Sequence, residues 1–249
     1  MNQKNSLGLN KCFLNLDNPF ELFQKWFDEA KKKEINDPNA LALGTANKQG
    51  IPSVRMVLLK GHSEKGFVFY TNLNSQKGNE IKENPNALAL ATSDKDGNPN
   101  VRMVLLKAFS EKGFVFYTNL NSPKSKALSA NPKASMCFHW KSLLRQIRIF
   151  GSIENVSDKE ADDYYNSRKY GSRIGAWASK QSTTLKNRDE LLSSIEKYKK
   201  KYPYTNEVPR PEYWSGWRLI PNEIEFWLDG ENRIHERLKY KYTQNKWDK

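Results

Sequence analysis

Arg233, His235 and Arg237 stand at every second position, a spacing that puts all three side chains on one face of a β-strand. Three potential cations on one face repel each other unless acids or a bound anion lie opposite; an ordinary exposed strand edge is the alternative. An imidazole such as that of His235 can take or give a proton. Tyr164 and Arg168 lie four apart on an expected helix, which makes them neighbours on its surface. Arg168 with Ser172 close by supplies guanidinium and hydroxyl donors of the kind that grip a phosphate; a plain surface pair is the other reading.

The elements that must hold these residues follow from start and stop signals. Asn18-Pro19 with Glu21 has a cap, a proline at the first helical position and an acid in the first turn, which predicts a helix to about Lys33 with Phe23, Trp26, Phe27 and Ala30 on one face. Residues 38–84 and 85–131 are then two copies of one segment, identical at 32 of 47 positions, with VRMVLLK and SEKGFVFYTNLNS intact in both. Each copy predicts a strand (Ala40–Thr45, Ala87–Thr92), a glycine turn (Gln49-Gly50, Asp96-Gly97), a second strand through VRMVLLK, a Lys-Gly turn and a third strand FVFYT. A short polar helix closes each. Strands follow at Ser135–Trp140 and Gln146–Val156, then a helix opened by Ser157 and Glu160 as a capping box. A helix over about Asn187–Tyr202, a proline-marked loop and final strands Trp214–Trp227 and Arg233–Tyr242 complete the chain. Short antiparallel strands with segregated helices predict a mainly β protein, a barrel with peripheral helices.

Composition narrows the class. The 249 residues carry a net charge of +13 and a mean hydropathy of −0.82 with 37% hydrophobic residues, so the chain is globular with a polar surface, and no apolar run approaches a bilayer span. Its only cysteines, Cys12 and Cys137, form no metal-ligand spacing; reduced thiols, a cytoplasmic location and no bound metal are expected. The densest basic run, Lys197 to Lys201, falls at a predicted helix end, where cations suit the dipole. No nucleic-acid motif accompanies it, and a membrane partner is not expected.

The chain resembles the pyridoxamine 5′-phosphate oxidase family. The words RMVLLK and FYTN, then RQIRIFG (Arg145–Gly151), SRKYGSRIGAWASKQS (Ser167–Ser182), IEFW (Ile224–Trp227) and RIHER (Arg233–Arg237) occur in family order from Phe20 to Tyr240. The resemblance implies an FMN-binding split β-barrel, here one domain over residues 1–249 containing the tandem repeat. It implies a homodimer with FMN at the subunit interface that oxidises pyridoxamine or pyridoxine 5′-phosphate with O2, giving pyridoxal 5′-phosphate and hydrogen peroxide. By the same resemblance FMN is held by Arg102, Met103, Val104, Leu105, Leu106, Lys107, Tyr117, Thr118, Lys124, Gln146, Gln181, Ser182, Trp227 and Arg237. The substrate meets Lys107, Tyr164, Arg168, Ser172, Arg233, Ile234 and His235, with Arg233 and His235 the catalytic pair.

Several features depart from that pattern. The family carries one copy of the strand unit, not two. Its Arg before Lys after FYTN is Gln76 in copy one and Pro123 in copy two, and its Asp-Pro entry, kept at Asp37-Pro38, becomes Asn84-Pro85. No basic substrate-covering segment is recognisable in residues 1–16, and Lys249 falls short of the family's usual tail. Copy two runs directly into the next strand, and sequential strands usually neighbour one another, so copy two is expected in the barrel. Arg102 and Lys107 are five apart, on opposite faces of a regular strand; a bend or bulge at the strand end must intervene if both face one cofactor.

Overall fold

The computed structural model describes residues 19–33, 39–46, 52–63, 66–69, 86–140, 145–204, 208–228 and 235–249. The chain divides into two compact units, Met1–Leu43 with Arg55–Glu80, and Gly44–Val54 with Ile81–Lys249. In the first, helix α1 (Pro19–Lys33) sets Phe23 and Phe27 against His62, with ring centroids 4.7 and 6.2 Å apart. Copy one forms a sheet in the order β1 (Ala40–Ala46), β2 (Pro52–Ser63), β3 (Gly66–Phe69).

Copy two repeats the same local fold within a different sheet. It supplies β4 (Ala87–Ser93), β5 (Pro99–Leu105), β6 (Ala108–Ser110), β7 (Gly113–Asn119) and helix α2 (Pro123–Ala130). The pairs His62↔Phe67 and Ser63↔Gly66 recur as Phe109↔Phe114 and Ser110↔Gly113. Leu59 N–H donates to Asn39 O and Leu106 N–H to Asn86 O, both at 2.7 Å. The expected Asp-Gly turn is present: Gly97 takes φ +83°, a conformation glycine adopts freely, and the Asp94 carboxylate accepts from the N–H groups of Asp96 and Asn98.

The second unit is mostly antiparallel β. Its sheet adds β8 (Lys133–Trp140), β9 (Arg145–Asn155), β10 (Trp214–Leu228), β11 (Glu236–Thr243) and β12 (Lys246–Asp248), in the order β12-β11-β10-β9-β8-β4-β5, with β7 pairing both β10 and β6. One edge of β10 pairs β7 through Trp214–Leu219 and then β11 through Glu223–Leu228, while β9 lines the other edge. That exchange of partners curls the sheet into a half-barrel around Leu88, Leu90, Phe116, Met136, Ile149 and Leu219, all at most 1% exposed. Helices α3 (Asp158–Ser167), α4 (Tyr170–Ala178) and α5 (Arg188–Lys201) lie after β9 in the chain. The capping box expected at Ser157 and Glu160 is formed.

Two expectations need correction. The helix expected to carry both Tyr164 and Arg168 ends at Ser167; Arg168 is extended at φ −78°, ψ 149°, and α4 starts afresh two residues later. The last long strand starts at Glu236 rather than Arg233, so Arg237 is on it and His235 precedes it. Arg233 and Ile234 lie outside the described residues.

Copy two fits the half-barrel through residues that copy one lacks. The buried Trp217 indole donates to Ser125 Oγ at 3.1 Å, and Ser125 donates in turn to Asn119 O. Asn131 Nδ2 donates to the buried Ser93 Oγ, and Leu128 is fully buried in the core. Copy one has Gly78, Ala46 and Ile81 at the positions of Ser125, Ser93 and Leu128. Ser125→Ala therefore strands a buried indole N–H and should lower stability by about 1–3 kcal/mol; Ser125→Gly should lose roughly 1 kcal/mol more to helix propensity. Urea unfolding measures both, and wild-type stability of Ser125→Ala would contradict this role.

Candidate active site

The larger cavity of the second unit, about 730 Å³, opens between the end of β5, β7 and the helices α3 and α4. Its floor is a platform of three aromatic rings: Tyr117 lies 4.1 Å from Tyr164 and 5.4 Å from Trp214, with planes within 15° of parallel. Such offset stacking suits the quadrupoles of the rings. Tyr117 lies flat because its strand partner is Gly216: a Cβ there would sit 2.8 Å from the Tyr117 ring carbons. Arg168 stands over Trp214 with its guanidinium carbon 4.7 Å from the ring centroid, and Lys107 Nζ stands 5.9 Å from that of Tyr164.

Beside the platform runs a polar chain. Lys124 Nζ donates to Thr118 Oγ1 at 2.8 Å and to Ser122 Oγ at 3.2 Å. Thr118 Oγ1 and the Asn119 N–H both donate to Gln181 Oε1. Burial, and next the charge of Arg102, push the Lys124 ammonium down to about 8. An ammonium held so far below its ordinary range gains from any anion that approaches it.

The break in the strand at Leu106-Lys107 answers the spacing problem. Arg102 points back, donating to Leu90 O, Thr92 Oγ1 and Asn100 Oδ1, and burial lowers its pKa to about 10. After Leu105 the chain changes partners: Leu106 N–H bonds Asn86 O, Lys107 N–H bonds Val115 O, and Lys107 lines the cavity. Copy one has a register shift at the matching place, between Leu59 and Gly61.

Gln146, Trp227 and Arg237, three expected cofactor ligands, form one row across β9, β10 and β11. They line a second cavity of about 390 Å³. Gln146 Nε2 and Trp227 Nε1 are buried donors with no hydrogen-bond partner among the described residues, so the row has free donors for an acceptor from outside. His235 packs against Trp227, with centroids 4.7 Å apart. The two cavities share no lining residue. Trp214 and Trp227 sit at opposite ends of β10, roughly 40 Å apart along the strand at about 3.3 Å per residue.

The first cavity thus gathers Met103, Val104, Leu105, Lys107, Tyr117, Thr118, Lys124, Tyr164, Arg168, Ser172 and Gln181, and the second Gln146, Trp227 and Arg237. Neither is lined by Arg102, Leu106, Ser182 or His235. Leu106 packs against the main core, and Ser182, next to Gln181, is exposed at φ +62°. Sequence reasoning missed Trp214, Asn119, Ser167, Lys169, Gly175, Ala176 and Ser179; for Trp214 nothing local marks it, since its ring contacts are with residues distant in sequence.

The pyridoxamine 5′-phosphate oxidase family model matches residues 27–89 and again 85–202, and the pyridoxine 5′-phosphate oxidase C-terminal dimerisation region matches residues 214–249. The chain belongs to this family. The double match follows the internal duplication. A pyridoxine/pyridoxamine 5′-phosphate oxidase of Pelagibacter ubique is 58% identical over all of this chain and 98% of its own length. That of Rhizobium meliloti is 52% identical over 92% of this chain and 88% of its own. Among solved structures, PhzG from Burkholderia lata, bound to tetrahydrophenazine-1-carboxylic acid, shares the fold at TM-score 0.62 and 24% identity, over 94% of this chain and 91% of its own. Of the two repeat copies, copy two supplies Met103, Val104, Leu105, Lys107, Tyr117, Thr118, Asn119 and Lys124 to the larger cavity.

Gly216→Ala should push Tyr117 out of the platform. Near-ultraviolet circular dichroism should lose intensity from the coupled rings, and Tm should fall. An unchanged spectrum would show that the ring tolerates a methyl group beneath it.

Proposed function

We propose that the protein is an FMN-dependent oxidase that converts pyridoxamine or pyridoxine 5′-phosphate to pyridoxal 5′-phosphate. The observation that carries the reading is the cavity in which Lys107, Lys124 and Arg168 offer cationic donors around an aromatic floor, in a chain matched along most of its length by this family. Flavin, when bound, takes a hydride from the carbon bearing the substrate's amine or alcohol and passes the electrons to O2, which leaves as hydrogen peroxide.

The residues fit FMN. Lys124, Thr118 and Gln181 form a phosphate-suited polar chain, and Gln146 Nε2 and Trp227 Nε1 are buried donors in want of acceptors. No GxGxxG phosphate loop for a dinucleotide is present in the sequence. Lys107, Tyr164, Arg168 and Ser172 take the substrate's phosphate. Arg233 and His235, with Ile234 between them, orient the reacting carbon.

One protomer holds two half-sites, and one flavin cannot bridge the length of β10. A C2 homodimer brings the Gln146–Trp227–Arg237 row of one copy to the Lys124 side of the other. The family's C-terminal dimerisation region spans that row's two later members, and Phe226, Leu228 and Leu238 beside them are about 40% exposed apolar side chains. The whole chain works as one split-barrel domain carrying a repeat, with copy two at the site. No described helix is long and apolar enough to cross a membrane. A cytoplasmic setting suits the buried Cys137 thiol, which burial pushes up to about 12.

Purified protein should carry FMN, identified after release by mass, and should form hydrogen peroxide with either phosphorylated vitamer. FAD in its place, or a yellow protein that makes no peroxide, would overturn the reading. The site also predicts a pH dependence. Lys124 binds fewer protons folded than unfolded between about pH 8 and its ordinary range, so ligand-free stability should rise with pH across that window. FMN affinity should fall over the same window as the ammonium is lost, and Lys124→Met should flatten that fall. A wild-type affinity unchanged from pH 7 to about 9.5 would contradict the role of Lys124.

A further inference from the structure

The arginines around the large cavity are held in two different ways. Arg210 donates to Asp158 and Asp162, and Arg218 to Glu154 and Glu160. Their donors are spent on carboxylates of the same fold, which suits a structural tie. Arg168 has no such partner: its guanidinium lies over Trp214 at 4.7 Å and near Tyr165 at 5.9 Å, with Nη1 buried and without a hydrogen-bond partner among the described residues.

The difference has a chemical meaning. A guanidinium's donors lie in its plane, while its attraction to an aromatic ring acts through the face. A carboxylate would fix Arg168 but consume the donors and cancel the charge. A ring fixes it and leaves both for an anion. Trp214 is the better ring for the purpose, since indole attracts cations more strongly than phenol. It is also firmly set: Arg210, braced on α3 by the two aspartates, donates to Trp214 O at 2.9 Å, and Trp214 N–H donates to Pro211 O at 2.9 Å. Tyr117 stacks on its indole.

We infer that Trp214 is a positioning residue for substrate recognition, holding the Arg168 guanidinium by its face so that its edge is presented to the phosphate of the substrate. Trp214 itself donates nothing to the ligand. The inference rests on the assignment of Arg168 to the phosphate under the function proposed above, and it extends that assignment to the residue that keeps Arg168 ordered and its donors free.

The test compares ligands that differ only in the phosphate. Equilibrium binding of pyridoxamine 5′-phosphate and of pyridoxamine is measured on the flavin-loaded protein, with kcat and KM alongside. Trp214→Leu should weaken the phosphorylated ligand roughly ten-fold or more, the scale of a desolvated cation–π contact, and the unphosphorylated ligand much less, so that the preference for the phosphate shrinks. Trp214→Phe, which keeps a ring, should recover most of the loss and serves if the leucine variant fails to fold. On an Arg168→Ala background, Trp214→Phe and Trp214→Leu should have no further effect on phosphate discrimination. Equal losses for both ligands, or additive losses on the Arg168→Ala background, would make Trp214 a structural residue and overturn the inference. A wild-type protein that does not prefer the phosphorylated ligand would instead overturn the assignment of Arg168, and with it the proposed substrate.

Discussion

The antiparallel pairing of β10 is the constraint on which the second unit depends. Fifteen residues of one strand serve three neighbours: β7 at one end, β11 at the other and β9 along most of the opposite edge. Such a strand must bend, and the register shift between Pro221 and Glu223 falls where it changes from β7 to β11. Proline lacks the N–H that regular pairing requires. Gly151 faces the bend, where a Cβ would lie 1.9 Å from Ile220 O, so the close approach is possible only without a side chain. Gly216 plays the matching part nearer the start of the strand, beneath Tyr117. Both cavities are consequences of this one strand, because Trp214 and Trp227 are its two ends.

The excess of positive charge finds a physical explanation in how the cations are held. Arg148, Arg210 and Arg218 are tied to carboxylates and brace the scaffold. Arg102 is tied to neutral acceptors and keeps its charge near Lys124. Lys107 and Arg168 rest on aromatic faces, and Lys124 on hydroxyls. A cavity whose cations have few acids beside them is costly for the empty protein and is stabilised by an anionic ligand. Under the proposed function, two phosphorylated molecules, a flavin mononucleotide and a phosphorylated vitamer, would supply such anions.

Local signals in the sequence were read well. The capping box at Ser157, the Asp96-Gly97 turn and the copy-two strand through FVFYT each depend on residues within a few positions, and each appears as expected. The row Gln146–Trp227–Arg237 was legible only through the family resemblance, since three strands distant in sequence had to align to form it. What escaped was set by tertiary contact. The five-residue spacing of Arg102 and Lys107 pointed to a bend at the strand end, but its cause is tertiary: the chain passes from β4 to β7 there. Arg168 leaves the helix that its spacing from Tyr164 suggested, drawn onto an indole supplied from 46 residues further along the chain. Copy two was expected in the barrel from its adjacency to the next strand, but the part played by Ser125 becomes visible only when Trp217 is seen to need an acceptor.

If each flavin site is built from the two ends of β10 in different copies, broken halves should complement one another. Lys124→Ala damages the first cavity and Arg237→Ala the second. In a hybrid dimer of the two variants, one site takes both lesions and the other takes neither. Refolding the two inactive proteins together should therefore restore flavin binding and peroxide formation to roughly a quarter of the wild-type level, as random assembly of a two-fold dimer requires. A mixture no more active than the average of its parents would contradict a site shared between protomers.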